Sequence, residues 1–144
     1  MKILRNILKT LGIISVACAT TLLSTIIGGK ILGVDLEVVY PADIPITMWL
    51  FCIISVLAIM SLATIWYIKS LKLKPTLKNG FYFGALIVPF GFVGDIILLV
   101  PHTNGVDILI SYYEQPAYWI TLGLIVGVCA LIGHLMPKNN RRKK

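Results

Sequence analysis

The chain has 144 residues, of which 58% are hydrophobic, and a formal net charge of +7. This apolar fraction exceeds the roughly 45–50% typical of soluble domains, which indicates a membrane protein. The length is that of a single domain. Little of these 144 residues lies outside the apolar stretches, so we expect no separate soluble catalytic domain.

Four apolar stretches are predicted to cross the membrane, at about residues 8–28, 46–68, 80–100 and 117–136. Each has about 20 residues or more, the length that a helix needs to cross a hydrocarbon core of ~30 Å. A helix is required because lipid cannot satisfy free backbone N–H and C=O groups. The predicted fold is an all-α, four-helix transmembrane bundle, a single domain over residues 1–144 with a basic tail at residues 137–144.

The first stretch has an alternative interpretation as a cleaved signal peptide. Basic residues precede it, and Ala17-Cys18-Ala19 offers a small-residue cleavage site. However, the apolar run is about twice as long as a typical signal-peptide core, so we expect this span to be retained. Gly28-Gly29 is predicted to end its helix.

The distribution of basic residues predicts the orientation. Twelve of the 13 lysines and arginines lie in the N-terminal segment, the middle loop and the C-terminal tail: Lys2, Arg5, Lys9, Lys69, Lys72, Lys74, Lys78, Lys138, Arg141, Arg142, Lys143 and Lys144. The two other loops contain Lys30 and five of the six acidic residues: Asp35, Glu37, Asp43, Asp107 and Glu114. Short basic loops remain cytoplasmic. Both termini are therefore predicted to be cytoplasmic, and two acidic hairpin loops to face outside.

The same bias explains the net charge, which on its own would suggest nucleic-acid binding. Anionic lipids attract each basic residue near the surface by about 1 kcal/mol. The expected partner of the middle loop and the tail is therefore the anionic inner leaflet of the lipid bilayer, and we expect no nucleic-acid partner.

Asp95 is the only acidic residue inside a predicted span. A carboxylate at mid-membrane costs on the order of 2.5–3.5 kcal/mol, so such residues are candidates for proton, ion or ligand binding. The alternative is a structural residue that reaches interfacial water, because Pro101 follows closely. Lys30 is the only basic residue on that side, so the expected partners of Asp95 are neutral: water, or hydroxyls such as those of Ser24 and Thr25.

Small residues predict where the helices pack. Six glycines are assigned to helix packing: Gly80, Gly84, Gly91 and Gly94 in the third span, and Gly123 and Gly127 in the fourth. The first four share about 100° of helix surface with Asp95, and such glycine faces allow close approach of another helix. His134 continues the face of Gly127 near the cytoplasmic end, where it is expected to be an interfacial residue rather than a partner of Asp95.

No catalytic or cofactor site is predicted. Cys18, Cys52 and Cys129 lie within spans, which excludes an extracellular disulfide framework. His102 and the acidic loop residues have ligand-type side chains, but their spacing matches no metal motif. No histidine lies near a serine or cysteine in the sequence, so a nucleophilic set is lacking.

Two segments carry a resemblance to known proteins. Residues 77–84 read Leu-Lys-Asn-Gly-Phe-Tyr-Phe-Gly, and residues 94–101 read Gly-Asp-Ile-Ile-Leu-Leu-Val-Pro. They resemble small prokaryotic four-pass membrane proteins of unknown function, in which a Lys-x-Gly-x-x-x-Gly entry leads to a buried aspartate and a Leu-Val-Pro exit. The resemblance implies a membrane location and four helices, without an activity. Small multidrug transporters also have four spans, but their essential acid is a glutamate in the first helix, and this first helix has no acid.

These observations predict a non-enzymatic protein of the plasma membrane of a bacterium or archaeon. It is expected to serve as an accessory, stress or immunity-type protein through contacts with lipid or with membrane proteins, a second copy included. The alternative is a small proton- or ion-coupled transporter that uses Asp95.

Overall fold

The computed structural model describes residues 2–34, 44–99 and 105–137. These residues form five helices: α1 (Lys2–Leu32), α2 (Ile46–Ser70), α3 (Leu77–Leu99), α4 (Gly105–Glu114) and α5 (Pro116–Leu135). All except α4 are long and apolar enough to cross a membrane. The prediction of an all-α transmembrane bundle with four spans is confirmed. Outside the described residues lie Asp35, Glu37, Asp43, His102 and residues 138–144 of the basic tail.

Helix α1 ends later than predicted, because Gly28-Gly29 does not interrupt it. The stop is at Gly33, which has a φ of +70°. Its N–H donates to the Lys30 carbonyl at 3.4 Å, and the Val34 N–H donates to the Gly29 carbonyl at 2.8 Å. This pair of bonds is the Schellman motif, which needs a left-handed residue that glycine supplies without a Cβ clash.

Helix α2 ends in the same motif, with a lysine in the left-handed position. Lys72 has a φ of 55°. Its N–H donates to the Lys69 carbonyl at 3.2 Å, and the Leu73 N–H donates to the Ile68 carbonyl at 3.0 Å. The loop then leads to Thr76, whose hydroxyl accepts the N–H of Asn79 and caps the start of α3.

The loop between the third and fourth spans contains a helix that was not predicted. Helix α4 has Asp107 in its first turn, where the helix dipole favours a negative charge. It packs against both α3 and α5. Gln115 alone separates it from α5, which begins with Pro116 at a position that needs no backbone N–H. A folded element therefore covers one end of the bundle, here called the α4 end.

The core lies towards the opposite end, near the loop between α2 and α3. Helix α2 packs against α1 and α5, and α3 packs chiefly against α5. The Phe83 ring is fully buried and stacks on the Tyr67 ring with 4.5 Å between centroids. Thr64 is also fully buried, and its hydroxyl donates to the Met60 carbonyl of its own helix at 2.7 Å. The bundle is therefore closely packed towards the loop end, whereas Asp95, the one acidic side chain of the four spans, lies towards the α4 end.

Candidate functional site at the α4 end of the bundle

Asp95 lies in the last third of α3 and is half-buried. Its Oδ2 accepts a hydrogen bond of 2.8 Å from the hydroxyl of Tyr118, in the first turn of α5. No basic side chain within the described residues forms an ion pair with it. The partner is a neutral hydroxyl, but it is not one of those expected on α1.

The expected partner Thr25 is occupied within its own helix. Its hydroxyl donates to the Thr21 carbonyl at 3.1 Å. Helix α3 packs closely against α5 and only slightly against α1, which explains why α5 supplies the hydroxyl. The hydrogen-bond partner of Asp95 in the described structure is therefore Tyr118, rather than Ser24 or Thr25 as expected.

Four rings surround this hydrogen bond and are here called the aromatic cluster: Phe92, Tyr113, Tyr118 and Trp119. Phe92 of α3 lies 5.4 Å from Tyr113, 6.1 Å from Tyr118 and 6.2 Å from Trp119, measured between centroids. The Trp119 indole N–H donates to the Tyr113 carbonyl at 2.8 Å, which ties α4 to α5. Edge-on and tilted ring pairs at these distances stabilise the packing. The role of Tyr113 was missed because its position depends on α4.

The hydroxyl of Tyr113 is the unusual atom of this cluster. It is buried, and it has no hydrogen-bond partner among the described residues. Burial and the nearby Asp95 carboxyl raise the pKa of Tyr113, while its contact with the Tyr118 hydroxyl lowers it. The net direction is upward, so the phenol stays neutral at physiological pH. A buried hydroxyl without a partner calls for an explanation, because the large majority of buried side-chain polar atoms have a hydrogen-bond partner.

Gly80 and Gly84 lie where α3 touches α5 most closely. A Cβ on Gly80 would stand 2.9 Å from the Cys129 carbonyl carbon and 3.0 Å from the Ala130 Cα. A Cβ on Gly84 would stand 2.9 Å from the Val126 Cα. Gly133 belongs to the same contact, although the sequence analysis did not identify it. A Cβ added to Gly133 would stand 2.8 Å from the Gly80 Cα.

The other four glycines assigned to packing do not lie at a helix contact within the described chain. A Cβ added to Gly91, Gly94, Gly123 or Gly127 would meet nothing within 4 Å. On α5 the packed face is that of residues 126, 129, 130 and 133, which is rotated from the face of Gly123 and Gly127. The predicted packing face, that of Gly123 and Gly127, is therefore an exposed face of α5 beside the one that contacts α3.

Gly91 lacks a contact with another helix for a different reason. It lies on the same helical face as Gly80 and Gly84, since the spacing is close to whole turns. Its Cβ nevertheless would meet no atom within 4 Å, so the contact between α3 and α5 widens towards the α4 end. Asp95, Tyr118 and Phe92 lie where it is wide.

The remaining candidates are separate from this site. His134 is exposed in the last turn of α5, at the end opposite Tyr118. The three cysteines are free thiols. Within residues 2–34, 44–99 and 105–137, no group of three His, Cys, Asp or Glu side chains is arranged to hold a metal ion.

The fold defines the chain as a multi-pass helical membrane protein with one carboxyl–aromatic site near one end of its spans. No family model, curated protein or solved structure matches the chain.

Proposed function

We propose that the chain is a non-enzymatic protein of a prokaryotic plasma membrane that acts through contacts with another membrane helix and with lipid. Such a role would suit an accessory, stress or immunity-type protein. The observation that carries the proposal is the open glycine face of α5, where a Cβ on Gly123 or Gly127 would meet nothing within 4 Å. Small residues one turn apart let a second helix approach closely, and close packing is the main attraction between helices in lipid.

Cysteine cross-linking in native membranes tests this contact. In a chain whose three cysteines are replaced by alanine, Gly123→Cys and Gly127→Cys should form disulfide-linked products after addition of a thiol oxidant, with a second copy or with a partner that supplies a cysteine. Leu124→Cys is the matched control, because its exposed side chain points about 100° away from Gly123. The absence of cross-links at both glycines, or equal yields at Leu124→Cys, would overturn the proposed helix contact.

The lipid part of the proposal rests on the loop end of the bundle. Six basic side chains are exposed there: Arg5, Lys9, Lys69, Lys72, Lys74 and Lys78. The Lys9 ammonium donates to the Ser70 carbonyl at 3.4 Å, which brings the start of α1 beside the loop. Such a surface suits the anionic inner leaflet, with about 1 kcal/mol of attraction per residue. We therefore propose that this end, with both termini, faces the cytoplasm.

A second candidate function is a proton- or ion-coupled carrier that uses Asp95. The observation in its favour is a carboxyl in a span whose only hydrogen bond in the described structure comes from neutral Tyr118. Purified chain in proteoliposomes with a pH-sensitive dye should then show a cation-coupled proton flux that Asp95→Asn abolishes. Asp107→Asn, an exposed acid on α4, is the control. Flux or a cellular phenotype unchanged in Asp95→Asn would exclude the carrier.

A further inference from the structure

We propose that the α4 end of the bundle binds a protonated amine that carries an apolar group, with the ammonium at Asp95 and the apolar group against the aromatic cluster. This inference names a ligand class for Asp95 and is independent of the open glycines on α5. It concerns binding, so it stands whether or not the ligand is carried across the membrane.

The charge of the site selects a cation. Asp95 is the only acidic side chain within the four apolar helices. Its Oδ2 accepts the Tyr118 hydroxyl, and its Oδ1 accepts no hydrogen bond from the described residues. A carboxylate at this depth without a basic partner is costly, and an arriving ammonium relieves that cost by supplying the missing charge.

The buried Tyr113 hydroxyl favours an ammonium with N–H donors over a quaternary one. Its oxygen is an acceptor without a partner in the described structure. The Tyr113 ring lies 5.1 Å from the Tyr118 ring, measured between centroids, and the Tyr118 hydroxyl is the group that is bonded to Asp95. An ammonium group has up to three donors, so one ligand can bond to Asp95 Oδ1 and to the Tyr113 oxygen together. A trimethylated nitrogen leaves both acceptors unused.

The rings favour a ligand with an apolar substituent. Tyr118 and Trp119 present the ring types that attract cations most strongly, and their faces also bury apolar groups. Trp119 is 54% exposed, so the aromatic cluster can be reached from the surface of the bundle. The contact between α3 and α5 widens at Gly91, which leaves space beside the aromatic cluster. A Cβ placed on Gly91 would meet no atom of another helix within 4 Å.

Two sources share this chemistry: a soluble amine and the headgroup of an ethanolamine lipid. The test uses the full chain in nanodiscs of choline and glycerol phospholipids, titrated with 2-phenylethylammonium in a calorimeter. We expect saturable binding, with 2-phenylethanol and the trimethylated analogue binding at least about tenfold more weakly, a loss of about 1.4 kcal/mol or more. Equal affinity for the neutral alcohol would overturn the proposal.

Variants separate the site from the fold. Asp95→Asn still accepts the Tyr118 hydroxyl, so it should fold normally and yet bind the amine at least about tenfold more weakly. Asp107→Asn removes a charge from the same end and should leave binding unchanged. Tyr113→Phe should weaken the primary amine without affecting the trimethylated analogue, an outcome that a purely structural tyrosine would not produce. Wild-type affinity in Asp95→Asn would refute the site.

Nanodiscs that contain ethanolamine phospholipid identify the source. If the headgroup occupies the site, its addition should weaken the apparent affinity for 2-phenylethylammonium in wild type but have no effect on Asp95→Asn. An unchanged affinity supports a soluble amine as the ligand. Failure of the glycine cross-links on α5 would not alter either result.

Discussion

Replacing Gly80 by alanine tests whether the backbones of α3 and α5 touch. The new Cβ would lie against the Cys129 carbonyl, 2.9 Å from its carbon and 3.0 Å from the Ala130 Cα. These are backbone atoms of a helix, so they cannot rotate away as a side chain does. The two helices must separate, which also loosens the neighbouring contacts at Gly84 and Gly133.

The size of the effect follows from two opposing terms. Overpacking of a tight contact costs about 1–3 kcal/mol, and the upper part of this range applies because the clash involves backbone. Alanine in place of glycine returns about 1 kcal/mol of helix propensity. Gly80→Ala should therefore lower the free energy of unfolding by about 2 kcal/mol. Gly91→Ala has the same propensity gain without a clash, so it should raise the stability by up to about 1 kcal/mol.

The assay is reversible unfolding in mixed micelles with increasing mole fraction of sodium dodecyl sulfate, followed by circular dichroism. Gly91→Ala is the matched control, because it lies on the same face of α3 as Gly80. Opposite signs for the two substitutions are expected. Equal effects, or a larger loss for Gly91→Ala, would show that the helices do not approach most closely at Gly80.

Three further outcomes are expected. Asp95→Leu should lower the free energy of unfolding by about 1–3 kcal/mol because it leaves the Tyr118 hydroxyl unpaired, whereas Asp95→Asn should be close to wild type; equal losses would contradict the hydrogen bond. In intact cells that express the chain without its three native cysteines, Asp107→Cys should react with an impermeant thiol reagent and Lys74→Cys should not. Labelling of Lys74→Cys would show that the orientation is the reverse of the one proposed. Lys72→Gly should stabilise the chain by up to about 1 kcal/mol, since its φ of 55° is unfavourable for a residue with a Cβ; a loss in the same micelle assay would contradict this.

Helices α1 and α2 show which helix boundaries can be predicted from the sequence alone. Helix α2 begins at Ile46, as the predicted span does, directly after Pro45. The fixed φ of proline is a local constraint that does not depend on a neighbouring helix. The end of α1 does not follow Gly28-Gly29. Gly28 lies instead where α1 meets α2, since a Cβ on it would meet the Phe51 ring. That glycine serves a contact with α2, and the true stop is the left-handed Gly33.

The arrangement of residues at the α4 end could not be predicted from the sequence, because it also depends on contacts between helices. The loop between the third and fourth spans was predicted as a hairpin, and its helix α4 gains stability by packing on α3 and α5. The position of Tyr113 beside Tyr118 and Asp95 is a consequence of that docking. No spacing in the chain brings these three residues together.

The sequence by itself determined the number of spans and their approximate limits, because the exclusion of free backbone groups from lipid acts on each apolar stretch separately. It also identified Asp95, since a lone carboxylate in an apolar helix is visible without a neighbour. The tertiary structure decided which glycines touch another helix and that Tyr118 is the partner of Asp95. Both depend on the rotation and divergence of α3 and α5, which result from side-chain packing along the whole interface and leave no periodic signal in either helix alone.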